Sequence, residues 1–81
     1  MKERIIKILT ELHPEYDFTK SNNFIDEGML DSFDIVSLVT SLDNKFDIMI
    51  DGLDIIPENF SSVDRIVELV EKIKQNNNAG I

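Results

Sequence analysis

The chain has 81 residues, which suits one small domain, and its 16 acidic and 8 basic side chains give a formal net charge of −8. Residues 15–58 alone carry a charge of −9, and because such a surface repels phosphate backbones and anionic lipid headgroups, we expect no nucleic-acid partner. No apolar run approaches the roughly 20 residues of a membrane span, so we expect no membrane insertion. The absence of cysteine excludes disulfides and thiolate chemistry, and we expect a cytoplasmic protein.

The first two predicted helices are amphipathic, and each has a clear boundary signal. Residues 2–12 and residues 32–46 both place apolar side chains at helical spacing. The stripes are Ile5, Ile8, Leu9 and Leu12 in the first helix and Ile35, Leu38, Val39, Leu42 and Phe46 in the second. The dipeptide His13-Pro14 ends the first helix, because a residue that precedes proline avoids the α region. Asp31 is the expected N-cap of the second helix.

A third helix and a tail complete the chain. Residues 62–75 again show helical periodicity, with apolar side chains at Val63, Ile66, Val67, Val70 and Ile73. Ser61 and Asp64 have the spacing of a capping arrangement at the start of this helix. Residues 76–81, which include three asparagines and a glycine, are predicted to form a flexible tail. Residues 1–75 are therefore expected to form the whole domain.

The two connections between these helices differ in length. Residues 13–31 form a long connection for so small a domain, and loops of this length tend to be functional. Apolar side chains are expected to fix it to the core, and Gly28 is expected to supply a positive φ. Residues 47–60 are acidic, and a short helical turn is expected near residues 53–56 or 57–60. The prediction is an all-α fold with three main helices and a short one before the last.

Few residues suit conventional catalysis or metal binding. His13 is the only histidine, and a favourable contact with the dipole of the first helix explains its place at the end of that helix. We therefore expect no enzymatic activity. The spacing from Asp47 to Glu58 matches part of an EF-hand loop, but Met49 and Ile55 occupy two ligand positions and offer no side-chain oxygen. We expect no metal site.

The most informative element is the start of the second helix, Leu30-Asp31-Ser32-Phe33-Asp34. Ser32 is predicted at the first position of that helix, beside unpaired backbone N–H groups and the positive end of the helix dipole. A phosphodiester attached there would be stabilised, and the acidic neighbours would steer a cationic enzyme toward it. From these residues alone, the alternative is that Asp31 and Ser32 only cap the helix.

The run from Phe24 to Ser32, FIDEGMLDS, resembles the acyl carrier protein superfamily, which includes acyl, peptidyl and D-alanyl carriers. The helix order, the length and the acidity of the chain resemble those of the same superfamily. The resemblance covers almost the whole chain. It implies a four-helix bundle with a short third helix, and a covalent 4′-phosphopantetheine arm, donated by coenzyme A, on Ser32. Asp31 matches the family's aspartate before that serine. Phe33 stands where leucine is commonest, and with Ser32 and Asp31 it is predicted as a cofactor-binding residue.

The resemblance implies a free-standing acyl carrier protein that holds acyl groups as thioesters on the arm and shuttles them between enzymes of fatty-acid, polyketide or nonribosomal peptide biosynthesis. The implied partners are a phosphopantetheinyl transferase, an acyl- or aminoacyl-activating ligase, and a downstream acyltransferase or synthase, and the carrier is expected to be a monomer. Partners are expected to dock on the outward face of the second helix and on the acidic linker, at Asp34, Ser37, Ser41, Asp54 and Glu58.

Two alternative functions are open at this point. The run FIDEGMLDS also resembles the matching stretch of D-alanyl and other aminoacyl carriers, which an adenylating ligase loads. In addition, the outward face of the second helix has a single acid, where fatty-acid carriers usually place several glutamates. The other alternative is an unmodified helical interaction module, whose acidic surface docks a basic partner and in which Ser32 only starts the helix.

Overall fold

Three α-helices form the framework of the protein. The computed structural model describes the backbone of residues 1–79 and the side chains of residues 1–76. The helices are α1 (Lys2–Leu12), α2 (Ser32–Phe46) and α3 (Val63–Ala79), and short 3₁₀ turns lie at Phe18–Lys20, Gly52–Asp54 and Pro57–Phe60. Residues 1–79 contain no strand, so the predicted all-α class is confirmed. Within the same residues, no helix is both long and apolar enough to cross a membrane.

The first two helices begin and end where their boundary signals predicted. α1 ends at Leu12, directly before the His13-Pro14 pair. α2 begins at Ser32 because Asp31 is its N-cap, and the Asp31 carboxylate accepts the backbone N–H of Asp34 at 2.9 Å. The Asp34 carboxylate accepts the backbone N–H of Asp31 at 3.0 Å in return. The two residues thus form a capping box, with aspartate in the place of the usual glutamate.

The start of α3 differs from its prediction by one residue. Ser62 is the capping residue, since its hydroxyl accepts the backbone N–H of Arg65 at 3.1 Å. Ser61 was the predicted cap, but its hydroxyl donates to the Glu58 carbonyl at 2.9 Å and closes the preceding 3₁₀ turn. Two adjacent serines offer the same capping chemistry, and the turn before the helix decides which of them is used.

The end of α3 lies four residues beyond the predicted boundary at residue 75, because the helix runs to Ala79. No proline or glycine interrupts the chain between residues 63 and 79, so the helix continues through the asparagines despite their low helix propensity. The predicted tail is therefore helical over its first part. Gly80 and Ile81 lie outside the described residues, and the flexibility of the tail stays a prediction.

The short helical turn expected at residues 57–60 is present as the 3₁₀ turn Pro57–Phe60, and a second 3₁₀ turn, Gly52–Asp54, precedes it. Asp51 caps the first, Gly52–Asp54, by accepting the backbone N–H of Leu53 at 2.9 Å. Ile56 separates the turns in an extended conformation, with φ −124° and ψ 151°. It avoids the α region because Pro57 follows it, so one continuous helix cannot form here.

The core lies where α1 packs against both α2 and α3. Phe18, Phe24 and Phe60, which lie outside the three α-helices, are among its fully buried side chains. The rings of Phe18 and Phe24 meet edge to face with their centroids 5.0 Å apart, an arrangement that adds to the burial energy of an aromatic pair. The connecting segments therefore belong to the core and are fixed by it.

Candidate functional site

Ser32 is the first residue of α2, and its side chain is exposed. α2 is 15 residues long, so the aligned peptide dipoles place a partial positive charge at this end. An anionic group attached to the Ser32 oxygen would therefore be stabilised where the chain presents it to solvent. The predicted position of Ser32 at the start of the helix is confirmed.

The long loop before α2 holds the start of this helix in place. Phe24 is fully buried, and its backbone N–H donates to the Ser61 carbonyl at 2.9 Å. The Phe24 carbonyl accepts the backbone N–H groups of Met29 and Leu30 at 2.8 and 3.2 Å. Gly28 lies inside this turn with a φ of 75°, as predicted, in a region that residues with a Cβ atom rarely adopt. The loop is thus anchored to the segment just before α3.

A histidine at the end of α1 reaches the first turn of α2. Nε2 of His13 lies 2.9 Å from Oδ2 of Asp34, and its Nδ1 lies 3.2 Å from Oε2 of Glu15. The close contact with the Asp34 carboxylate raises the pKa of His13 above its ordinary value; burial opposes this effect, and the charges of Asp34 and Glu15 add to it. Burial alone would raise the pKa of Asp34, but the contacts with His13 and with the backbone of Asp31 lower it overall.

An apolar groove of about 610 Å³ opens beside Ser32. The long loop, α2 and the linker each contribute to its walls, with Ile25, Leu30, Ile35, Val36, Ile55 and Ile56 as the main apolar side chains. Asp31 and Ser32 line the same groove. Grooves of this volume are typical of sites that hold a small molecule, so the exposed hydroxyl and an apolar surface of useful size lie together.

Large apolar side chains are exposed on α2 and on the linker. Phe33 is 84% exposed and Val36 is 65% exposed, and because they are three positions apart they share one face of the helix. In the linker, Met49 and Leu53 are exposed as well. Phe33 does not line the groove, whereas Val36 does. Phe33 and Val36 form what we term the apolar strip, and exposed apolar surface of this kind marks interaction sites.

Three of the predicted docking residues are accessible. Ser37 and Glu58 are exposed, and Ser41 is half-buried. The other exposed carboxylates of the acidic region, residues 15–58, are those of Glu15, Asp17, Asp26, Glu27, Asp31, Asp47 and Asp51. These side chains give this part of the chain a negative surface that attracts basic partners.

The other two predicted docking residues have partners inside the protein. Asp34 is in contact with His13, and its side chain retains only 17% of its accessible surface. Asp54 lies 3.6 Å from Nζ of Lys72, and its backbone carbonyl accepts the side-chain amide of Asn59 at 2.8 Å. A carboxylate that is already paired and partly covered is a weaker contact for a partner, since the existing pair must first be broken.

Sequence reasoning missed two features of the site. The His13–Asp34 contact joins residues that are far apart in the chain, and no local spacing indicates it. The groove was missed because Ile35 and Val39 were assigned to the core, whereas the structure leaves both half-buried and places Ile35 in the groove wall. The available signal was Val36, an apolar residue outside the buried stripe of α2.

Comparisons with known proteins add no assignment. No protein-family model matches the chain, and no solved structure gives a significant match. Over the part of the chain that the structure describes, no cluster of three or more histidine, aspartate or glutamate side chains is arranged to hold a metal ion. The site itself brings together the Ser32 hydroxyl, the carboxylates of the capping box and the groove.

Proposed function

We propose that this chain is a free-standing acyl carrier protein in which Ser32 carries a 4′-phosphopantetheine arm. The observation that carries the proposal is the exposed Ser32 side chain at the start of α2, beside an apolar groove of about 610 Å³. The resemblance of residues 24–32 to the superfamily supports it independently. On this proposal the fold is a four-helix bundle in which the two 3₁₀ turns between α2 and α3 take the place of the short third helix.

The residues around Ser32 suit a phosphodiester and an acyl group. The positive end of α2 favours the anionic linkage, and the carboxylates of Asp31 and Asp34 already accept backbone N–H groups in the capping box. When bound, the arm supplies the thiol that a chain without cysteine does not have. The apolar walls of the groove, such as Ile35 and Ile55, offer surface on which an acyl group is stabilised by burial.

The groove favours an acyl cargo over an aminoacyl or D-alanyl one. An alkyl chain gains roughly 25 cal/mol for each Å² that it buries, whereas an α-ammonium group loses hydration in apolar surroundings. We therefore expect Tm to rise with the length of the acyl group on the loaded protein and to change little when alanine is loaded. A Tm that is independent of acyl length would favour the aminoacyl alternative.

Partner docking is proposed at the apolar strip, Phe33 and Val36, with exposed carboxylates such as Glu58 around it. The partners would be the phosphopantetheinyl transferase, the ligase that loads the arm and the enzyme that receives the cargo. Because charge complementarity raises association rate more than affinity, raising the salt concentration is expected to raise KM for the carrier and to leave kcat nearly unchanged. A KM that does not respond to salt would contradict this mode of docking.

Intact-mass measurement tests arm attachment directly. The protein is coexpressed with a phosphopantetheinyl transferase of broad specificity, as wild type and as the variants Ser32→Ala and Ser37→Ala. Ser37 is the matched control because it is another exposed serine on α2. We expect one arm on the wild type and on Ser37→Ala, and none on Ser32→Ala. An unmodified wild type, or a modified Ser32→Ala variant, would refute the proposal.

An unmodified interaction module is the second candidate, and the exposed apolar strip favours it, because such a surface suits protein contacts with or without an arm. In this case Ser32 only starts α2. The two candidates differ in one outcome. If the wild type carries no arm, and Phe33→Ala loses binding to a basic partner that Ser32→Ala retains, the interaction module is supported and the carrier is not.

A further inference from the structure

We propose that His13 is a positioning residue which, as an imidazolium, ties the end of α1 to the first turn of α2 and thereby holds Ser32 in place. His13 directly follows α1, and Asp34 is the third residue of α2. Their side chains meet with Nε2 and Oδ2 2.9 Å apart. The contact therefore links two helices at the end of the molecule where the proposed attachment residue lies.

Both nitrogens of the His13 ring face carboxylates. Oδ2 of Asp34 lies 2.9 Å from Nε2, and Oε2 of Glu15 lies 3.2 Å from Nδ1. A neutral imidazole has one N–H and one lone pair, whereas an imidazolium has two N–H donors. Nδ1 forms a hydrogen bond with Glu15, whereas Nε2 is buried and has no aligned hydrogen-bond acceptor, so its contact with Asp34 is an ion pair that depends on the positive charge of the ring. Loss of the proton removes this charge and places the lone pair of one nitrogen beside a carboxylate, which weakens the bridge.

The bridge acts on Ser32 through the capping box. Oδ2 of Asp34, the atom that faces His13, also accepts the backbone N–H of Asp31 at 3.0 Å. The Asp31 carboxylate in turn accepts the backbone N–H of Asp34 at 2.9 Å. Ser32 lies between these two residues in the chain. The protonated ring thus fixes the carboxylate that closes the turn around Ser32.

The groups that face His13 set the direction of the pH dependence. They are Asp34 from α2 and, from the loop after α1, Glu15 and the Tyr16 ring, whose centroid lies 5.6 Å away. The pKa of His13 is raised above 6.5, chiefly by the close contact with the Asp34 carboxylate. The stability that this contributes is complete below pH 6.5 and is lost as the pH rises through the raised pKa.

The acid limit of the bridge is set by Asp34. Burial would raise the pKa of its carboxyl, but the contacts with His13 and with the backbone of Asp31 lower it below 3.8. A group with a lowered pKa contributes stability above its ordinary value and loses it as the pH falls through the lowered one. The bridge is therefore intact between the lowered pKa of Asp34 and the raised pKa of His13, and weakens outside that window.

An NMR titration tests the bridge without any modification of the protein. His13 is the only histidine, so its ring signals are identified without ambiguity. We expect its pKa to lie above 6.5, and the backbone amide signals at the start of α2 to move with the same midpoint. Glu15→Gln is expected to lower the His13 pKa, and Glu27→Gln, which removes another exposed acid of the same loop, to leave it unchanged. A His13 pKa at or below 6.5, or amide signals that do not follow it, would overturn the bridge.

A modification assay tests the effect on Ser32, and this step rests on the proposed function. His13→Gln keeps an uncharged side chain that can donate a hydrogen bond and removes the titration. At pH values below the His13 pKa, we expect kcat/KM for arm attachment to be roughly two- to fivefold lower for His13→Gln than for wild type, in line with the strength of partly buried charges at helix ends. The ratio of kcat/KM for wild type to kcat/KM for His13→Gln should approach one as the pH rises through that pKa. Because both proteins are assayed with the same transferase, the titration of the transferase itself cancels in this ratio.

The two experiments separate failure of this inference from failure of the proposed function. If wild type and His13→Gln are modified at the same rate at every pH, His13 does not position Ser32 and the inference fails, although the carrier function stands. If neither protein accepts the arm at any pH, the carrier function fails. In that case the amide signals at the start of α2 decide whether His13 holds this turn.

Discussion

The two ends of α2 carry opposite charges and are built in different ways. At the N-terminal end, Ser32 is exposed beside the groove, and the carboxylates of Asp31 and Asp34 lie in the first turn. At the C-terminal end, Phe46 is buried, and the guanidinium of Arg4 lies 4.7 Å from the centre of its ring. The carboxylates at the first turn and the cations near the last turn both suit the helix dipole, which favours anions at the first turn and cations at the last. The N-terminal end opens onto the groove of about 610 Å³, whereas the pocket at the C-terminal end has about 140 Å³.

Basic side chains surround the C-terminal end of α2, which we term the closed end, and the N-terminal end beside the groove is termed the open end. Nη2 of Arg4 donates to the Lys45 carbonyl at 2.8 Å, Nζ of Lys74 lies 5.9 Å from the centre of the Phe46 ring, and Lys7 lines the same small pocket as Arg4 and Lys45. This end lies about 21 Å from Ser32, given the rise of 1.5 Å per residue along α2. At this end the cations oppose the attraction that the exposed Asp47 exerts on a basic partner surface, so the acidic, open end attracts such a surface more strongly.

Along this one helix, residues at the C-terminal end contribute mainly to stability, and residues at the N-terminal end contribute mainly to the proposed function. Packing and cations hold the closed end, whereas hydrogen bonds from backbone N–H groups to the carboxylates of Asp31 and Asp34, with the contact between His13 and Asp34, hold the open end. We therefore expect substitutions at the C-terminal end of α2 to change mainly the free energy of unfolding. Substitutions at the N-terminal end are expected to change arm attachment, with smaller effects on stability.

The largest effect is expected from the phenylalanine at the closed end. Phe46→Ala removes a buried ring and leaves a cavity, so the free energy of unfolding should fall by about 3–5 kcal/mol. Urea denaturation followed by circular dichroism measures it. Phe33→Ala is the matched control at the open end, because Phe33 is 84% exposed, and it should change stability by no more than about 0.5 kcal/mol. Equal losses for the two variants would show that the ends do not differ as described.

An intermediate effect is expected from the cap at the open end. Asp31→Ala removes the acceptor for the Asp34 backbone N–H and should cost about 1 kcal/mol. Ser62→Ala removes the corresponding cap of α3 at a similar cost. Both are measured by urea denaturation, and arm attachment by mass. Attachment should slow for Asp31→Ala only, and slowing of similar size in Ser62→Ala would point to a general loss of stability.

Local signals were sufficient to predict the limits of α1 and α2 but not the cap of α3 or the two turns before it. The apolar periodicity, the His13-Pro14 pair and the Asp31 cap give the limits of α1 and α2, because each acts within one or two turns of the chain. The choice between Ser61 and Ser62 depends on the turn before α3. The division of the linker follows from Pro57 and its effect on Ile56, the residue directly before it.

Local signals likewise predicted only part of the candidate site. Ser32 and Asp31 lie in one continuous run, so local spacing places them at the start of α2. The groove needs residues from three segments, and the His13–Asp34 contact needs α1 to pack against α2. Contacts of this kind are set by tertiary packing, which neither periodicity nor capping signals specify.

The smallest predicted effect is a gain in stability at the closed end of α2. Asp47, the C-cap, has φ 53° and ψ 53°, a left-handed conformation, and it places a negative charge at the end of the helix where cations are preferred. Asp47→Asn removes the charge and keeps a residue that tolerates this conformation. Asp47→Gly removes the charge and the Cβ atom together, so comparison of the two variants separates the electrostatic contribution from the conformational one.

We expect Asp47→Asn to raise the free energy of unfolding by about 0.5 kcal/mol at low salt, as is typical of a single charge at a helix end. High salt should abolish this gain, because the charge is exposed and therefore screened. Asp47→Gly should retain part of its gain in the free energy of unfolding at high salt, since the left-handed conformation costs glycine nothing. The greater flexibility of the unfolded chain offsets some of this gain. Glu71→Gln, an exposed acid within α3, is the control and should change stability by less than either. A loss of stability in Asp47→Asn would mean that the Asp47 carboxylate itself stabilises the closed end, and the two ends of α2 would then differ less than their charges indicate.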